Sequence, residues 1–249
     1  ADCLTRPEAD ALQAMYDGPR DAATGERIYF GWPVGSENAG ANPERPGWSN
    51  YWSDFASTER PARVSFWQIW AFDDENWSWW DVDLGPDMTR ADDRLAERVN
   101  AMDPDLRPFR DAGGKMIHYH GLADPVVPAA DSISYWRRVQ QATGGSEDFH
   151  RLFLVPGMEH CGGGSGPNRL FLQSQLEAWV EQGVAPERIE AAHYEAGDAA
   201  GSVLFTRPLC PYPQQAFYDG TGPENDAASF ECRAADEPQF EDLGHAWLR

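Results

Sequence analysis

Long apolar runs are missing from the 249 residues. No stretch reaches about 18 consecutive apolar positions, the length a membrane-spanning helix needs, so no membrane role is expected. Basic residues are scarce as well. Lys and Arg number 20 against 41 Asp and Glu, a formal net charge of −21. A chain so acidic repels nucleic acid and anionic lipid, so neither is expected as a partner. The acids are scattered, as in "DDENWSWWDVD", and lack the spacing of a calcium loop. Cysteine is limited to positions 3, 161, 210 and 232. No CxxC pair occurs, which speaks against zinc and thioredoxin chemistry. Missing too is a signal segment: "ADCLTRPEADALQAMYDGP" opens with a helical pattern already under way and reads as a processed or truncated chain. No internal repeat is visible.

What is present suffices for a sizeable core: 41% hydrophobic residues and 11 Trp. The chain divides into two compositional zones. Residues 1–100 are irregular and rich in Trp, Asp and Pro. "LTRPEADALQAMYDGP" predicts a helix with Thr5 as N-cap and a stop at Gly18-Pro19. "GERIYFGWPVGSEN" predicts a short strand entering a turn. "ARVSFWQIWAF" is a buried segment of open type, and "TRADDRLAERVNAM" is a helix with Leu95, Val99 and Met102 on one face. From about residue 105 the pattern turns regular, and residues 101–249 form the second zone. "GGKMIHYHG" and "DFHRLFLVPG" read as strands. "DSISYWRRVQQAT", with Asp131 as N-cap and Ile133, Trp136 and Val139 inward, reads as the helix between them. "NRLFLQSQLEAWVEQG" reads as a helix capped by Asn168 and stopped by Gly183. Further strands are expected at "RIEAAHYEA" and "GSVLFTRPL". Strand, helix, strand, helix at this spacing argues for a parallel sheet in an α/β layer fold. Cys210 and Cys232 flank a Pro/Gly-rich loop without a core of its own. A disulfide there would contribute about 3 kcal/mol and implies an oxidising compartment. Cys3 and Cys161 either pair with each other or need partners elsewhere.

Polar groups that act gather beyond the C-terminal ends of parallel strands. Two stand there: Asp124 in "HGLADPVVP" and His160 in "VPGMEHCGGG". Alone, each reads as a turn former or a surface residue. At the ends of consecutive strands, acid before base, they read as a pair in which Asp124 fixes the tautomer of His160. His118 and His120 alternate on one strand and so share a face. A metal pair is one reading, strand packing the better one, and His120 lies close enough to Asp124 to line the same pocket. His150, His193 and His245 read as surface residues. No G-x-S-x-G elbow occurs anywhere. Ser165 lies in the glycine loop after His160 but lacks an elbow.

The stretches "PGMEHCGGG" and "HGLADPVVP", with "RPLCPYPQQAFYDGTGPENDAASFEC", resemble the tannase/feruloyl esterase family of α/β-hydrolases. This family includes the enzymes that split mono(2-hydroxyethyl) terephthalate. The likeness spans nearly the whole chain. It implies an α/β-hydrolase fold, of which this is the C-terminal part, with residues 1–100 as the remnant of a Trp-rich lid. It implies a secreted or periplasmic serine esterase of aromatic (gallate, ferulate or terephthalate) esters that needs no catalytic cofactor. Asp124 would be its acid and His160 its base. Cys161 would be bonded to a cysteine beside the nucleophilic serine, and Cys210 to Cys232. The Gly-Cys-Ser elbow and the calcium-binding part of the lid would lie upstream of Cys3, on an N-terminal polypeptide of the same enzyme. Trp48, Trp52, Phe66, Trp67, Trp70, Trp77, Trp79 and Trp80 are candidates for contact with the substrate ring. Two other readings remain: a serine-less homologue that binds aromatic ligands or a partner subunit, and a metal hydrolase built on His118 and His120.

Overall fold

The structure, a computed structural model, describes residues 3–37, 47–48, 64–195 and 201–235. Helix α1 (Arg6–Asp17) starts where the sequence says. The Thr5 N–H and hydroxyl both donate to the Glu8 carboxylate, at 2.7 and 2.8 Å, which satisfies an N-terminal donor that the helix itself leaves open. The "GERIYFGWPVGSEN" segment is not a strand. It holds only an isolated antiparallel bridge, Arg20 with Arg27, because it spends its apolar side chains on tertiary contacts: Phe30 is buried against Ile133, Trp136 and Leu152. "FWQIWA" (Phe66–Ala71) is a π-helical segment. It packs on α2 (Pro86–Val99) through Ala71, Phe72, Ala91 and Leu95.

The regular zone begins with the short helix α3 (Arg107–Asp111), then strand β1 (Met116–Gly121), helix α4 (Ala129–Thr143) and strand β2 (His150–Val155). β1 and β2 pair in parallel, from Met116 opposite His150 to Gly121 opposite Val155. Because side chains alternate along a strand, parity assigns each to a face. Leu152 and Leu154 pack with Ile133 and Trp136 of α4, whereas Phe153 and Val155 join Met158, Ile189 and Leu209 on the other side. This strand is therefore buried on both faces, as strands of α/β layers are. α4 begins two residues before Asp131, with Pro128 as N-cap. Proline's fixed φ sets up that start, and Asp131 falls inside the first turn, where it accepts from the Tyr29 hydroxyl at 2.9 Å.

Asn168 does not cap a helix either. The short strand β3 (Arg169–Leu170) intervenes before α5 (Leu172–Gln182). Asn168 instead bonds to Tyr194, donating to its carbonyl at 3.2 Å and accepting from its N–H at 3.0 Å. Strands β4 (Ile189–Tyr194) and β5 (Val203–Leu209) lie where expected, but with β3 they form an antiparallel sheet. The loop between Cys210 and Cys232 also has more order than its composition suggests. Strand β6 (Gln214–Tyr218) lies within it and pairs antiparallel with β7 (Phe230–Ala234), which contains Cys232. Tyr218 packs on Phe230, and Arg233 lies over Phe217. The Cys210–Cys232 disulfide closes this unit.

His150 and His193 are not surface residues. His150 is fully buried and stacks on His118, with ring centroids 5.7 Å apart. His193 is half-buried, bonds the Gly166 carbonyl through Nδ1 and stacks on Phe205. His245 lies outside the described residues. Burial presses both His118 and His150 down from 6.5 to about 4, helped by charge repulsion from His120 and His118 respectively. The unfolded chain therefore binds more protons than the folded one between about pH 6.5 and 4, and stability falls as pH drops through that window. One ring depressed this far withdraws about 3 kcal/mol across it. The folded protein is expected to lose denaturant resistance steeply below pH 6.5. In His150→Leu that slope should flatten, and urea midpoints at pH 7 and 4.5 measure it. Equal slopes would dismiss the buried pair as its source.

Candidate active site

The last paired residues of β1 and β2, Gly121 and Val155, bring two loops off one sheet edge. The loops are stitched together at once. Leu122 N–H donates to the Val155 carbonyl at 2.9 Å, and Ala123 N–H to the Met158 carbonyl at 3.0 Å. A Cβ on Gly121 would stand 2.3 Å from Met158 O and 2.4 Å from Glu159 O. Glycine is what permits this approach. On the far side, Gly164 at φ +81° lets the loop fold back on Gly157, whose carbonyl a Cβ would meet at 2.1 Å.

This stitching sets Asp124 against His160. Asp124 Oδ2 lies 2.9 Å from His160 Nδ1, and Oδ1 accepts from the N–H groups of Val126 and Val127 at 2.7 and 3.0 Å. The carboxylate is almost wholly buried, whereas the imidazole side chain is 40% exposed. Burial alone would raise the Asp124 pKa. The hydrogen bonds from His120, Val127, His160 and Val126 outweigh it, and the group is held below the usual carboxylate range. A carboxylate so held stays charged beside its imidazole and can stabilise the imidazolium that forms when His160 takes a proton.

Neighbouring groups divide into those the sequence suggested and those it did not. His118 and His120 do share a face, and both reach one hydroxyl: Ser132 Oγ of α4 lies 3.0 Å from His118 Nε2 and 2.6 Å from His120 Nδ1. His120 Nε2 lies 3.3 Å from Asp124 Oδ2. Ser132 and Tyr29 have no motif or spacing that could have flagged them. Glu159, beside the histidine, is buried. Its carboxyl is pushed up by burial and then by the charge of Asp124. Cys161 is exposed at φ 62°, and neither it nor Cys3 is bonded among the described residues, so the two do not pair with each other. Ser165 is exposed on the loop. No group of three or more potential metal ligands occurs among the described residues.

The tryptophans separate by environment. Trp67 and Trp77 stack near Phe72. With Phe66 and Trp79 they line a cavity of about 680 Å³, whose wall also includes Tyr29 and Asp131 of α4 but neither Asp124 nor His160. Trp70 and Trp80 are exposed. Trp48 Nε1 donates to the Ser36 hydroxyl at 2.9 Å, and Trp52 lies outside the described residues.

The chain has relatives among known proteins. The chain is 36% identical, over 266 aligned positions, to the mono(2-hydroxyethyl) terephthalate hydrolase of Piscinibacter sakaiensis, covering 94% of this chain and 42% of that protein. It is 33% identical to the tannase of Aspergillus oryzae, covering 88% of this chain and 38% of that protein. Among solved structures, an esterase from Aspergillus oryzae superimposes with a TM-score of 0.77 at 25% identity, over 93% of this chain and 47% of that one. Feruloyl esterase B from the same organism superimposes with a TM-score of 0.75 at 24% identity, over 93% of this chain and 46% of that one. The chain thus spans less than half the length of these relatives, and its fold is that of the α/β-hydrolases they represent. The family model described as "Tannase and feruloyl esterase" matches residues 1–233, and the chain belongs to that family.

Proposed function

We propose that these residues carry the acid and the base of a serine hydrolase of aromatic carboxylic esters, and that the nucleophilic serine stands on polypeptide outside them. The observation that carries this reading is the 2.9 Å contact between Asp124 Oδ2 and His160 Nδ1 beyond two paired parallel strands. With Nδ1–H held by Asp124, the lone pair of His160 lies on Nε2, where it can accept the serine proton. The serine oxygen bonds to the ester carbonyl carbon. His160 then returns the proton to the leaving alcohol oxygen, and water repeats the sequence on the acyl-enzyme. No cofactor enters these steps, and a structural calcium, if bound, belongs to the segment upstream of Cys3. Cys161, next to His160 and exposed, is placed to bond a cysteine beside that serine, which would tie base to nucleophile. Residues 1–100 act as part of a lid whose aromatic cavity suits a phenolic or terephthalic ring. The Cys210–Cys232 bond supports an oxidising, secreted or periplasmic setting.

The test uses the whole enzyme. A fluorophosphonate should label one serine outside these 249 residues. Methyl gallate, methyl ferulate and mono(2-hydroxyethyl) terephthalate should be hydrolysed well above an aliphatic ester of equal size. Absence of labelling together with binding of the aromatic esters would replace the esterase by a ligand-binding homologue.

A further inference from the structure

We infer that His120 is a positioning residue for the dyad, one that holds Asp124 and its loop in place through Nε2 and is itself held by Ser132. The inference rests on the acid–base reading of Asp124 and His160. Its basis is an assignment of hydrogens that the partners dictate. His120 Nε2 lies 2.9 Å from the Val127 carbonyl oxygen. A carbonyl can only accept, so Nε2 carries a hydrogen whatever the charge of the ring. The same N–H faces Asp124 Oδ2 at 3.3 Å. With Nε2 protonated, the neutral ring accepts at Nδ1, and the Ser132 hydroxyl donates to it at 2.6 Å. Ser132 Oγ is then left to accept from His118 Nε2–H at 3.0 Å. A directed chain runs from His118 through Ser132 and His120 to the carboxylate.

This chain does two things for the dyad. The bond to Val127 O pins the turn whose N–H groups, those of Val126 and Val127, hold Asp124 Oδ1. The Nε2–H also shares Oδ2 with His160, so the carboxylate lies between two imidazoles. His120 is mostly buried, its side chain 12% exposed, and its ring nitrogens are both engaged. That engagement argues for positioning rather than for direct contact with substrate. The titratable groups around it are Asp124 on the loop, Asp131 on α4 and His118 on its own strand.

Removing the imidazole takes a donor from Oδ2. Asp124 then binds the His160 proton more strongly, and the acid limb of activity moves to higher pH. In the whole enzyme, His120→Ala is expected to lower kcat about 10- to 100-fold, the worth of a hydrogen bond to a charged group. KM should stay within about twofold, and the acid limb should move to higher pH. His120→Gln keeps a nitrogen donor at the reach of Nε2 and should restore most of kcat. His120→Asn, whose nitrogen ends at the Nδ1 level, should not. Should the alanine variant fail to fold, the last two decide: Gln fast and Asn slow supports positioning, and equal rates overturn it. A rise in KM with kcat intact would overturn it in favour of a substrate contact. Asp124→Asn is measured in parallel. If that variant keeps its activity, the acid–base reading itself fails. If it is inactive while the His120 variants match wild type, only the present inference falls.

Discussion

Asp124→Asn is expected to lower kcat about 10⁴-fold in the whole enzyme while leaving it folded, the scale on which a misdirected tautomer disables a triad. The placement of the hydrogens dictates this loss. Oδ1 accepts from two backbone N–H groups, Val126 and Val127, so the amide oxygen of an asparagine must take that place. Its NH₂ is then turned to the Oδ2 position, facing His160 Nδ1 at 2.9 Å. A donor there forces Nδ1 to accept. The ring hydrogen moves to Nε2, the one position that must be open to receive the serine proton. The same NH₂ meets His120 Nε2–H, donor against donor, and a flip would only turn it onto the N–H donors of Val126 and Val127. His160→Ala should lose a comparable factor, since it removes the base outright. Ester turnover, thermal unfolding and the rate of fluorophosphonate labelling check the prediction together. A folded Asp124→Asn enzyme within tenfold of wild type would strip the acid role from Asp124.

The sheet edge is legible in the sequence because its signals are local. Apolar runs ending in glycine or Pro-Gly, with a 3.6-residue pattern between them, place β1, α4 and β2. A right-handed crossover then brings both strand ends to one side. That alone sets Asp124 and His160 beside each other beyond the two strands. What the sequence hides are long-range choices. Tyr29 lies 102 positions from Asp131, yet its hydroxyl settles what Asp131 does in the first turn of α4. Asn168 looks like a cap because its side chain can bond nearby backbone. It is drawn instead to Tyr194, 26 residues on. His150 looks like a surface residue because histidine usually is one, but its place opposite Met116 puts it on the face that α4 covers. Parity along β1 does predict that His118 and His120 share a face. The hydroxyl that joins them comes from α4, and no spacing rule announces it.

Gly121→Ala is expected to damage both turnover and stability. The new Cβ would stand 2.3 Å from Met158 O and 2.4 Å from Glu159 O. Both are backbone atoms, so no side-chain rotation relieves the clash. The backbone of Gly121 is not left-handed, and the loss is one of space rather than of conformation. The 156–160 loop must retreat, breaking the Ala123 N–H bond to Met158 O and carrying His160 with it. A retreat of about 1 Å between catalytic groups costs about 100-fold in rate, and overpacking of this kind costs about 1–3 kcal/mol in stability. Gly162→Ala is the control, for it sits in the same loop, its added methyl would meet nothing within 4 Å, and its φ is not left-handed. That variant should keep kcat within about twofold, a surface change of little consequence. The expected pattern is therefore a loss at Gly121 with tolerance at Gly162, read as kcat on an aromatic ester and as thermal midpoint. Equal tolerance at both would mean that the contact of the two loops does not set the distance between acid and base.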